Sequence, residues 1–215
     1  DDLINNEWNG ARVGRFAVSS FMRVTRLGTV DINNHEVRTS LRSYIKESMA
    51  ACKRAKAILD KTCPNAVTLV DRGYTPAGEL FDLCMKRGIP VINWIGGHKN
   101  GCFILKRLTK ENRDHHPASL SERSWARLQK MEWKTKHKEE TIGEIQRCYA
   151  TGEWFAEVAT QVGRRLVNPE EVEKQLNLDA QKKTACIFSH IFWDATFFWG
   201  VDLFDNYEDW FVKTV

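Results

Sequence analysis

The stretch NAVTLVDRGYTPAGELFDLCMKRGIPVINWIGGHKNG, residues 65–101, decides the fold. Ala66 to Val70 is a continuous run rich in β-branched residues, the pattern of a strand covered on both faces. Asp71-Arg72-Gly73-Tyr74 leaves it. Thr75 to Arg87 then takes up helical spacing through Leu80, Leu83 and Cys84, and Gly88 stands where a left-handed C-cap is expected. Ile89 to Trp94 is a second apolar run. Strand, helix and strand within about thirty residues make a βαβ unit, with parallel pairing and a right-handed crossover. The expected fold class is α/β and helix-rich, with a parallel sheet and flanking helices.

Upstream, Gly10 to Arg23 carries Val13, Phe16, Ala17, Phe21 and Met22 in a loose helical pattern after the turn Asn9-Gly10. From Asn34 to Lys61 the three-four spacing is clean, running from Val37 and Leu41 through Cys52 and Ala55 to Leu59. It predicts a long helix closed by Cys63-Pro64-Asn65. Downstream, Cys102 to Leu105 reads as a short strand or the start of a helix, and the polar Thr109 to Pro117 as an exposed connection. Ser119 and Glu122 form a capping box ahead of a helix with Trp125, Leu128 and Met131. Helices follow over Lys134 to Tyr149 and Trp154 to Arg164, the mixed charges of Lys136, Lys138, Glu139 and Glu140 marking a solvated face.

Asn168-Pro169-Glu170-Glu171 is a helix start, with Asn as N-cap and Pro at the first helical position. That helix ends near Leu176, and a polar linker spans Asn177 to Lys183. Thr184 to Phe188 then reads as a new buried strand, and Asp205 or Asn206 caps a final helix. The composition shift puts a domain boundary at about 165–182.

Composition narrows the class. The 215 residues are 42% hydrophobic and 28% charged, with a net charge of +4 and mixed signs through most of the chain. This describes an ordinary globular protein with no nucleic-acid signature. Six cysteines without a CxxC pair point to a reducing, cytoplasmic setting and not to zinc or a disulfide framework. No signal peptide opens the sequence, and no apolar run reaches the roughly 18–20 residues of a membrane span. Peripheral association with the inner membrane surface stays open.

In open parallel sheets, ligands gather where loops leave the carboxyl ends of strands. Asp71, Arg72, Gly73 and Tyr74 occupy one such exit. Gly96, Gly97, His98 and Asn100 occupy the next, where glycines let a ligand approach the backbone. Carboxylates, amides and flat aromatic faces suit sugar hydroxyls. A local ion pair of Asp71 with Arg72, and a plain turn at Gly96-Gly97, are the structural readings of the same residues. After the third run, Ser189, His190 and Asp194 stand at a strand exit, where His190 suits proton transfer and Asp194 can orient it. Loop capping explains them equally well, and Trp193, Phe197, Phe198 and Trp199 suit core packing. His115-His116 is not a metal site, since adjacent residues do not face one ion. GxGxxG, GxxxxGK[ST] and GxSxG are all absent.

The run KKTACIFSHIFWDATFFWGVDLFDNYEDWF, with the preceding NPEEVEKQLNLD, resembles the opening of the C-terminal domain in bacterial capsule and surface-polysaccharide biosynthesis proteins of GT-B glycosyltransferase type. VDRGYTPAGELFDLCMKRGIPVINWIGGHKNG is similar to the end of their N-terminal, acceptor-side domain. SHIFWD, DLFD and YEDW carry most of the likeness.

The resemblance implies residues 1–165 as an acceptor-side Rossmann-like domain lacking its first part. Residues 166–182 become a linker, and 183–215 the start of a nucleotide-sugar-binding domain that the sequence does not finish, as in a fragment able to fold and yet inactive. It implies a nucleotide-sugar donor, a glycan acceptor and no separate cofactor. The acceptor-side residues would be Asp71, Arg72, Gly73, Tyr74, Gly96, Gly97 and Asn100, with Ser189 at the cleft. For an inverting reaction His98, His190 and Asp194 are candidate bases; retention is the other stereochemical course. No DxD-like pair calls for a metal. Two other readings are a non-catalytic module of polysaccharide assembly and a nucleotide-sugar epimerase, the latter disfavoured by the missing glycine fingerprint.

Overall fold

The computed structural model describes residues 3–97, 102–151, 168–179, 181–188, 191–194, 197, 204 and 207–215. By their contacts they fall into two units. The first is Asp1–Ile95, Ile104–Ser119 and Ser189–Val215, and the second is Gly96–Phe103 and Leu120–Phe188.

The first unit is built on three helices and the sheet. Helix α1 spans Val13–Thr25 and α2 spans His35–Thr62. Asn34 caps α2 by accepting from the amides of Glu36 and Val37 at 2.9 and 3.2 Å, donors that the helix itself leaves unused. Cys63 ends it in a left-handed conformation, its amide donating to Leu59 O at 3.0 Å, and Pro64 cannot continue the ladder. The buried positions of α2 are Leu41, Ser48, Ala51, Cys52, Ala55 and Leu59, one stripe at helical spacing.

The βαβ unit forms as its spacing predicts. Strand β1, Val67–Leu69, and strand β2, Val91–Gly96, pair in parallel with Val67 opposite Val91, and helix α3, Ala77–Arg87, connects them. Gly88 ends α3 at φ 70°, a region that costs a side chain about 1 kcal/mol. Strand β3, Phe103–Leu108, completes a mixed sheet of order β1-β2-β3. Of Cys102 to Leu105, all but Cys102 thus lie in strand. The sheet is small, and β1 lies at its edge. Val67 and Leu69 are half-buried, whereas Thr68 and Val70 are exposed, so the expected cover on both faces is not found.

One apolar cluster joins α2, α3 and the sheet through Leu59, Phe81, Leu83, Met85, Val91 and Leu108. A second joins α1 and α2 through Val18, Phe21, Met22 and Leu41, and Trp193 and Phe197 pack against it. Each large side chain so buried contributes about 1.5–3 kcal/mol. Helix α7, Tyr207–Thr214, follows, with Phe211 edge-on to Phe192 at 6.1 Å. Its expected caps Asp205 and Asn206 lie outside the described residues.

In the second unit, α4 spans Glu122–Gln129, α5 Thr135–Thr151 and α6 Pro169–Leu176. Ser121, not Ser119, caps α4, accepting from the Ser124 amide at 3.1 Å. Ser119 is drawn away because its carbonyl and hydroxyl both accept from Lys106. Trp125 and Leu128 of α4 are exposed, as are Met131 and Trp133 beyond it. Asn168 caps α6 with Pro169 at its start, as its sequence dictates. Thr184–Phe188, expected as a buried strand, is irregular and exposed. A buried strand needs a ladder for its backbone groups, and among the described residues none pairs with it. The helix expected over Trp154 to Arg164 lies outside the described residues.

All six cysteines are free thiols. Burial pushes Cys84 up to about 11, away from the thiolate form that reacts. No described helix is long and apolar enough to cross a membrane.

Candidate functional site

The loop leaving β1 is pinned residue by residue. The Asp71 carboxylate accepts from the Gly73 amide at 2.8 Å, closing a turn over Arg72. Its ion pair is with Arg23, at 3.6 Å, and not the local pair with Arg72 that the sequence suggests. The same Arg23 guanidinium lies 4.4 Å from the Tyr74 ring centroid, within cation–π range. The Thr75 amide donates to Ser20 Oγ at 3.1 Å, tying the loop to α1.

Tyr74 reaches 120 positions along the chain. Its hydroxyl donates to Asp194 Oδ1 at 2.5 Å, while Tyr207 Oη donates to the Asp194 carbonyl at 3.2 Å. Among the described residues, Asp194 Oδ2 has no hydrogen-bond partner. The strand-exit loop and the Ile191–Asp194 turn therefore meet, joining Tyr74 to Asp194. Ser189 and His190, immediately before that turn, lie outside the described residues, as do His98 and Asn100. Gly96 ends β2, and Gly97 is buried, its amide donating to Cys102 O at 2.8 Å. That bond ties the residue after β2 to the residue before β3.

Arg72 turns inward. It is 2% exposed, donates to His115 O at 2.7 Å, and lies 5.0 Å from the Phe81 ring centroid. Burial brings its guanidinium down to about 10, a fall that Arg12 and Arg113 deepen and Asp114 opposes. Arg72 holds the β3–α4 connection in place. Lys106 does the same, donating to His116 O at 3.0 Å, to Ser119 O at 2.7 Å and to Ser119 Oγ. The segment Thr109 to Pro117 is therefore no free connection, and Pro117 is buried.

Beside it lies a group of charges that the motif search missed. Asp82, 2% exposed in its side chain, accepts from the Arg12 amide at 3.0 Å and from Arg12 Nε and Nη2 at 2.9 Å each. Arg113 Nη2 adds a fourth bond at 2.6 Å. Burial works against the charge of Arg12, but its bond to Asp82 and the attraction of that carboxylate raise its pKa. Arg15 is lowered by burial and by Arg12.

A buried acid sits nearby. Glu79 Oε1 accepts from Ser48 Oγ at 2.5 Å and Thr75 Oγ1 at 2.7 Å. Ser48 Oγ is also 3.0 Å from Val13 O. Burial raises the Glu79 pKa against the pull of these hydroxyls. Asp82 and Glu79 went unnoticed because α3 is buried on nearly every side, from Gly78 to Met85, so its acids lie among its apolar residues. The signal was present in the interruption of a buried helix by two carboxylates.

His116 Nδ1 accepts from the Ala118 amide at 3.1 Å, and burial, then Arg72 and Lys106, push its pKa down. Its task is local. No group of histidines, cysteines and carboxylates able to hold a metal occurs among the described residues.

Compared with protein-family models, with curated proteins and with solved structures, the chain matches none.

Proposed function

We propose that this chain serves glycosyl transfer from a nucleotide-activated sugar to a surface or capsular polysaccharide, within a GT-B-type architecture of two Rossmann-like domains on the cytoplasmic side of the membrane. The observation that carries the reading is the bond from Tyr74 to Asp194. It joins the loop at the exit of β1 to the SHIFWD segment, the two stretches on which the resemblance rests.

The chemistry follows from the carboxylate. Tyr74 occupies Oδ1 and fixes the plane of the group, leaving Oδ2 to accept a proton from an acceptor hydroxyl. Asp71, held by its turn with Gly73, presents a polar group suited to a sugar hydroxyl; Tyr74 is buried with Arg23 against its ring, and its part is to position Asp194. His98 and His190 are the other candidate bases. Donor and acceptor are substrates, and the reaction asks for no separate cofactor.

The test is turnover. The protein is incubated with a panel of nucleotide sugars and glycan acceptors, and release of the nucleotide is followed together with the extended glycan. Transfer should fall about 10²- to 10⁴-fold in Asp194→Asn, the usual contribution of a positioned base. Glycan binding without donor turnover in the unsubstituted protein would reject the reading in favour of a non-catalytic module.

A further inference from the structure

In the second unit, α4 is a helix without a buried residue. Its ends are secured. Ser121 caps the start, and the amides of Lys130 and Met131 close the last turn on Arg127 O and Leu128 O at 3.3 and 3.0 Å. Trp125 and Leu128, three positions apart, share one side of the helix. Leu120 stands just before the cap, where a hydrophobic residue commonly packs on the fourth helical position, here Trp125. Met131 and Trp133 follow the last turn. These five side chains are 44–68% exposed. Single exposed apolar residues are ordinary, but five within the span 120–133 form a surface that needs a partner.

The other side of α4 is cationic. Arg123 and Arg127, four positions apart, lie away from Trp125 and Leu128 at helical spacing, and Lys130 follows them. None of these three side chains makes an ion pair or hydrogen bond among the described residues. Glu122 is the one acid on the helix. Beyond it, Lys134 and Lys136 lie 3.7 Å from Glu132 and Glu140, with both members of each pair exposed. Pairs so open and so long contribute little, and they leave the lysines free to exchange partners.

We infer that Leu120 to Trp133 is a docking element for an anionic lipid surface. Trp and Leu on one side of a helix and Arg and Lys on the other are the composition of a segment lying in the membrane interface. Trp125 and Trp133 suit headgroup depth, while the long stems of Arg123, Arg127 and Lys130 reach back to acidic headgroups. Eight residues make about 12 Å of helix, which lies on a bilayer and does not span it. Nucleic acid would engage the cations and stack on the Trp rings, but it gains nothing from Leu120, Leu128 and Met131. The lipid boundary takes up both sides of the element. The inference stands whether or not the chain transfers sugar.

The full chain sedimented with vesicles is the test. It should bind phosphatidylcholine/phosphatidylglycerol vesicles, release with added salt, and bind pure phosphatidylcholine far more weakly. Trp125→Ser with Leu128→Ser should weaken binding about tenfold or more. Arg123→Gln with Arg127→Gln should weaken it about tenfold on the anionic vesicles only. Both double variants should keep the melting temperature, since every substituted side chain is exposed. No binding to anionic vesicles, or equal binding to both kinds, would overturn the inference. So would a lower melting temperature in Trp125→Ser with Leu128→Ser at unchanged vesicle binding, the mark of a face covered within the chain. Capture of poly(U) RNA without vesicle binding would give the element to nucleic acid instead.

Discussion

Replacing Asp82 by Asn tests the central electrostatic claim most directly. The side chain is 2% exposed and accepts four hydrogen bonds, three from Arg12 and one from Arg113. An amide of the same shape removes the negative charge and turns an NH2 group towards donors already there. Breaking a buried ion pair from one side costs about 3–5 kcal/mol. The arginine side chains keep 16% and 30% exposure, so water recovers part of the loss and about 3 kcal/mol is the appropriate figure. For a chain of this size each kcal/mol shifts the melting temperature by about 2–4 °C, which places Asp82→Asn on the order of 6–12 °C below the unsubstituted protein by circular dichroism. Urea unfolding should give the same loss. Arg113→Gln alone should cost about 1–2 kcal/mol, since Arg12 still neutralises Asp82, and its cost should shrink or vanish in the Asp82→Asn background. A loss within about 0.5 kcal/mol for Asp82→Asn, the range of ordinary surface substitutions, would refute the reasoning.

Two further outcomes follow from the helices. Glu79 is raised above its ordinary carboxylate pKa by burial, so its protonated form is the one the fold favours. That contribution is fully present below the ordinary value of 4.5 and is lost as pH rises through the raised folded value; Glu79→Gln should therefore flatten the decline of stability between those two values in pH-dependent melts. Asn34→Ala removes the acceptor for two amides at the start of α2 and should cost about 1 kcal/mol in urea unfolding; no measurable change would show that water caps this end equally well.

Local signals were the legible ones. Gly88, Asn34 and the Asn168-Pro169 pair mark helix ends through backbone conformation and capping, which depend on a few adjacent residues. The parallel pairing of Val67 with Val91 followed from the length of the crossover between two apolar runs. Burial was harder to read. Thr184–Phe188 has the composition of a core strand yet lies exposed, because composition cannot state whether a partner strand is at hand. In the site, strand-exit position picked out Asp71, Arg72 and Tyr74, but Arg72 is directed into the protein by its bond to His115 O. Arg12, Asp82 and the adjacent pair Arg113 and Asp114 come together across 31 positions or more only after folding. No motif spans such distances, and a carboxylate between Phe81 and Leu83 looks like the polar side of an amphipathic helix until the helix is found buried all round.

The hydroxyl of Ser48 has a single hydrogen and two acceptors near it, Val13 O at 3.0 Å and Glu79 Oε1 at 2.5 Å. When Glu79 carries its proton, it can donate to Ser48, and Ser48 to Val13. The bonds then run head to tail from Thr75 through Glu79 and Ser48 to the first turn of α1. When Glu79 is ionised it draws the hydrogens of Ser48 and Thr75 to itself, so the Glu79–Ser48 link reverses and the donation to Val13 is lost. One proton thus sets the direction of the Glu79–Ser48 bond and decides whether Ser48 can donate to Val13 at the start of α1.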